Sequence, residues 1–88
     1  MTADILIPPC VLKDAKQFIR ESVLRNAGDL PRDSYGQYVP HDYWMQYIDN
    51  GEETFIRLEL FDLFGYDTNR GLAHDLECYF GESNVAYA

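Results

Sequence analysis

Apolar residues first fall into a regular stripe near the start of the chain. In VLKDAKQFIRESVLRNAG, residues 11–28, Val11, Leu12, Ala15, Phe18, Ile19 and Val23 recur at helical spacing, and Lys13, Lys16 and Arg20 gather on the polar side. Glu21 stands four residues before Arg25, the favoured order for a helix pair, and Gly28 is placed to close the helix in a left-handed conformation. The pattern predicts a helix over 10–27. A second stripe, Leu72, Leu76, Tyr79 and Phe80, begins after Asp67 as N-cap and stops at Gly81, which predicts a helix over 68–80.

Between them lies a loop rich in turn residues, DLPRDSYGQYV at 29–39, and then a stretch that reads two ways. In YWMQYIDNGEETFIRLEL, residues 43–60, Asn50-Gly51 suits a hairpin turn, and Thr54, Ile56, Leu58 and Leu60 alternate with Phe55, Arg57 and Glu59 at period two. Against this, Pro40 fits the first position of a helix, and Tyr43, Trp44, Tyr47 and Ile48 would share one helical face. Gly51 can end that helix, Glu52 and Glu53 suit the first turn of the next, and Phe61, Leu63 and Phe64 spoil the alternation. The helical signs are more numerous. The expected fold is therefore all-α, a bundle of about four helices near 10–27, 40–49, 53–64 and 68–80. The alternative is α+β, with a β-hairpin at 43–60 packed against two helices. Residues 1–88 read as a single compact domain, with an extended lead-in at 1–9 and a frayed tail at 82–88.

Charge changes the picture next. The net charge is −8, and it is uneven. Residues 1–32 carry five bases against four acids, whereas residues 33–88 carry 11 acids against Arg57 and Arg70 alone. Direct nucleic-acid binding needs cations to meet phosphates and is disfavoured here; a basic protein surface is the expected partner. The opening MTADILIPPC lacks the basic and long apolar regions of a signal peptide, and no run approaches a membrane span. The expectation is a cytoplasmic protein with Cys10 and Cys78 as reduced thiols.

Candidate chemistry is sparse. Cys10, His41, His74 and Cys78 could in principle make a tetrahedral set, but only His74 and Cys78 share a local spacing, so no metal is expected. Asp67 and Asn69 imitate the start of a calcium loop, whose register fails at Leu72 and Cys78. There is no nucleophile motif and no glycine-rich phosphate loop, so neither an enzyme nor a cofactor is expected.

Surfaces remain. Tyr35, Tyr38, Tyr43, Trp44 and Tyr47 cluster among Asp33, Asp42, Asp49, Glu52 and Glu53, and such aromatics with polar tips suit binding hot spots. The expected partner-binding set is Asp33, Tyr35, Tyr38, Asp42, Trp44, Asp49, Glu52 and Glu53. A second acidic set is Glu59, Asp62, Asp67, Asp75, Glu77 and Glu82. Carboxylates spread over helices can imitate DNA phosphates, the device of small phage anti-restriction and anti-CRISPR proteins. The expected function is thus a non-enzymatic acidic binding module, an inhibitor or decoy of a nucleic-acid-processing protein. Its alternatives are an assembly subunit packing through the apolar 55–64 segment, homo-oligomeric or not, and a small metal-binding or catalytic domain.

Overall fold

The computed structural model describes residues 2–59 and 64–88. Its elements run β1 (Thr2–Leu6), a 3-10 turn (Pro9–Val11), α1 (Leu12–Ala27), α2 (His41–Trp44), β2 (Met45–Asp49), β3 (Thr54–Glu59), α3 (Tyr66–Phe80), a second 3-10 turn (Glu82–Asn84) and β4 (Val85–Tyr87). The strands form one antiparallel sheet in the order β2-β3-β1-β4. With helices after β1 and before β4, this is the split βαβ arrangement of ferredoxin-like folds. The all-α expectation is wrong, and the α+β alternative describes the chain.

The correction has a local cause. Only one helical turn forms at 41–44, and the chain then switches to strand between Trp44 and Met45, both buried. Met45 faces Leu58 and Tyr47 faces Ile56 across the hairpin, so the period-two signal of β3 wins. Thr54–Glu59 is strand rather than the expected helix at 53–64. Gly51 takes a positive φ of 88° in the connection. Asn50 completes it, donating its N–H to Glu53 O at 3.2 Å while its Oδ1 accepts from Glu52 and Glu53 N–H.

The extended lead-in is built into the sheet. β1 is an interior strand, paired with β3 on one side and β4 on the other. Residues 85–87, expected to fray, are β4, and Thr2 and Ala88 exchange backbone bonds of 3.0 and 2.9 Å. The two long helices stand as expected, except that α3 starts at Tyr66 with Gly65 at its N-cap, and Asp67 lies in the first turn.

Alternation gives the sheet two faces. Ala3, Ile5, Ile56, Leu58 and Val85 point into a core closed by Ile19, Val23, Leu72 and Leu76 of the antiparallel α1–α3 pair. Burying each isoleucine, leucine or valine of this core stabilises the fold by roughly 1.5–3 kcal/mol. The opposite face carries Asp4, Leu6, Gln46, Ile48, Phe55 and Arg57, and no helix of the described residues covers it. Asp4 there accepts two bonds from the Arg57 guanidinium, at 2.9 and 3.0 Å, which raises the arginine's pKa. No helix among the described residues is long and apolar enough to cross a membrane.

Candidate functional site

Strand β2 decides how the expected binding residues are distributed. Its five residues separate the 29–42 region from the 50–53 turn by roughly 15 Å at the usual rise per residue. Asp33, Tyr35, Tyr38 and Asp42 lie at one end of the sheet, and Asp49, Glu52 and Glu53 at the other. The single surface expected from the sequence is two surfaces. Trp44 belongs to neither: it is 0% exposed, edge-on to His41 and Phe64, with its Nε1 unpartnered among the described residues.

The first end is a stapled loop. Arg32 pairs with Tyr38 in an isolated antiparallel bridge, and Val39 N–H donates to Pro31 O at 2.9 Å. The Arg32 guanidinium lies 3.9 Å from the Tyr38 ring centre and donates to Asp29 Oδ2, Gly36 O and Tyr38 Oη, at 2.7, 2.7 and 2.6 Å. The Arg32 bond, with a second from Leu30 N–H, holds the Asp29 carboxyl below its usual pKa. Asp33 Oδ1 accepts from Tyr35 and Gln37 N–H, and Gly36 takes the positive φ that the tip requires. Asp33 is therefore spent on the turn. Tyr35, at 87% exposure, is what the turn presents.

The second end is an acidic turn beside an apolar groove. Asp49 Oδ1 accepts from Gly51 N–H, so this carboxylate also builds its turn, whereas Glu52 and Glu53 are exposed. β4 begins only at Val85, opposite Ile5, and leaves the next residue of β1, Leu6, 39% exposed. Three contiguous hollows meet at Leu6 and Asn84. One, of about 330 Å³, lies between Pro8 and Val11 on one side and Tyr79 on the other. The second, about 290 Å³, opens on the sheet face beside Phe55 and Glu53. The third runs past Pro8 to Glu52 and Glu53. No lysine or arginine lines any of them; Asp4, Asp14, Glu52 and Glu53 do. Of the residues around these hollows, Glu52 and Glu53 belong to the set expected from the sequence, and Leu6, Pro8, Val11, Phe55 and Asn84 do not.

The remaining expectations scatter. Glu59 stands on the open sheet face near Arg57, Asp67 and Glu82 are exposed at opposite ends of α3, and Asp62 lies outside the described residues. Asp75 is bound into the α1–α3 seam, and Glu77 accepts from Tyr87 Oη at 2.8 Å. Cys78 Sγ lies 3.7 Å from His74 Nε2 on α3, but Cys10 and His41 lie at opposite ends of the sheet, and both cysteines are free thiols. No three metal-binding side chains converge among the described residues. In the 55–64 segment, Ile56, Leu58 and Phe64 are core, and Phe61 and its neighbours at 60–63 lie outside the described residues.

No protein-family model, curated protein or solved structure matches this chain.

Proposed function

We propose that the chain is a non-catalytic protein-binding module that docks the Glu52–Glu53 end of its sheet on a basic protein surface. The observation that carries this reading is the groove beside that turn, where Leu6, Pro8, Val11 and Phe55 meet Asn84, Glu52 and Glu53, with no lysine or arginine among the described lining residues. Apolar floors supply affinity and rim charges supply steering and selectivity, so the combination favours a partner that offers both. A nucleic-acid-processing protein meets that description, since its working surface is basic, and the module would then act as its inhibitor or decoy. The stapled Tyr35 loop, at the far end, offers a second contact.

Affinity capture from the lysate of the source cell tests the reading end by end. A Glu52→Gln/Glu53→Gln variant should lose the captured protein at low salt, and Asp42→Asn should retain it. Raising the salt should weaken capture steeply, because the steering charges are exposed. Retention by the double variant, or capture indifferent to salt, refutes the reading.

A further inference from the structure

The groove says more about its occupant than that it is basic. We infer that it receives an extended segment of a partner protein in which bulky apolar residues alternate with lysines or arginines. This inference rests on the reading above and sharpens it from a basic surface to a linear segment. The three hollows share Leu6 and Asn84 as a common ridge, so a chain crossing that ridge meets separate depressions on either side. At about 290, 330 and 420 Å³ the hollows are each at the small end of the pocket range and each has room for a large side chain, which suits successive residues of a peptide. In an extended chain, alternate side chains point to opposite sides, so apolar residues can seat beside Leu6, Val11 and Phe55 while cations reach outward. The cations have partners there. Glu52 and Glu53 flank the sheet-side hollows and Asp14 flanks the one between the helices, whereas Asp4 is already held by Arg57.

A second copy of this chain is a poor occupant. Each copy carries −8, and the rim would face carboxylates with carboxylates.

The test uses the whole chain and two synthetic peptides, Lys-Arg-Leu-Lys-Leu-Arg-Lys and the same sequence with serine for each leucine. Titration calorimetry at low salt should give the leucine peptide about tenfold or more tighter binding than its charge-matched control. Amide resonances of Leu6, Val11 and Phe55 should shift on binding. Leu6→Ser should remove the preference, whereas Glu52→Gln/Glu53→Gln should weaken both peptides by a similar factor; the second changes only exposed turn residues, and circular dichroism verifies the fold of the first. Equal affinity for the two peptides overturns the linear-segment inference and leaves the charge-driven reading standing. Failure of the leucine peptide to bind at all overturns the inference too, and capture of a folded basic protein by wild type but not by the Glu variant then separates that result from failure of the broader reading.

Discussion

Asn26 Oδ1 occupies the place that a Cβ on Gly71 would need. This relationship explains a glycine in the middle of α3, where it otherwise costs about 1 kcal/mol relative to alanine. The Asn26 amide is not free to swing away. It donates to Ser22 O at 2.8 Å and to Asp75 Oδ2 at 2.9 Å, so it ties α1 to α3. Gly71→Ala should therefore destabilise by about 1 kcal/mol instead of stabilising, because lost hydrogen bonds outweigh the propensity gain. In an Asn26→Ala background the same substitution should gain roughly 0.5–1 kcal/mol. Urea denaturation of the four proteins measures both; an effect of one sign in both backgrounds refutes the account.

Asp75 makes the same seam sensitive to acid. Its Oδ2 accepts from Ser22 Oγ and Arg25 Nη2, both at 2.7 Å, as well as from Asn26. Burial pushes this carboxyl's pKa up, but the bonds from Arg25, Ser22 and Asn26 outweigh it and hold the pKa below the ordinary 3.8. A depressed folded pKa means stability that is present above 3.8 and lost as pH falls through the lower folded value. Asp75→Asn should cost about 1 kcal/mol at neutral pH, a modest figure because Arg25 is largely exposed. That cost should fade as the wild-type carboxyl protonates. Denaturation midpoints followed downward from neutral pH test it, and a gap between the two proteins that persists undiminished into strong acid argues against it.

At the alkaline end the informative group is Tyr87. Its hydroxyl donates to Glu77 Oε1, tying the last strand to α3. Burial, then the Glu77 bond and charge, push its pKa from 10.0 up to about 12. A raised folded pKa gives stability that is complete below 10.0 and disappears as pH rises through about 12. Tyrosinate absorbance should show a late step near that value, absent in Tyr87→Phe and moved to lower pH in Glu77→Gln. A late step that survives in Tyr87→Phe assigns it elsewhere.

The parts legible in the sequence are those with long one-sided patterns. α1 and α3 each bury a stripe of residues such as Ile19 and Val23 or Leu72 and Leu76, and such stripes survive any tertiary context. The strands were harder because each is short or irregular. Val85–Tyr87 spans too few residues to show a period, and β1 reads as a plain apolar run since Leu6 is exposed between buried Ile5 and Ile7. No glycine or proline marks the helix-to-strand switch at Trp44–Met45, so Trp44 sat equally well on a helical face. The groove was invisible for a different reason. It is assembled from β1, the turn before α1, the β2–β3 turn and Asn84, segments that only the sheet order brings together.

Arg32 supplies the last prediction, at the far end of the sheet. Its guanidinium bonds Asp29, Gly36 and Tyr38 and covers the Tyr38 ring, yet all of these groups are largely in water. Exposed ion pairs contribute little to global stability, so Arg32→Ala should leave the Tm nearly unchanged. The local effect should be large, because the arginine bonds both arms of the loop and its tip. The amides of Asp33 and Val39, bonded across the loop to Gln37 O and Pro31 O, should exchange several-fold faster, while those of β1 and β3 hold their rates. Asp29→Asn should act in the same direction and less strongly, since it removes a charge but keeps an acceptor for Leu30 N–H. Unchanged exchange at Asp33 and Val39 in Arg32→Ala would show that the Asp33 turn alone orders Tyr35, and that the arginine staple contributes nothing to its presentation.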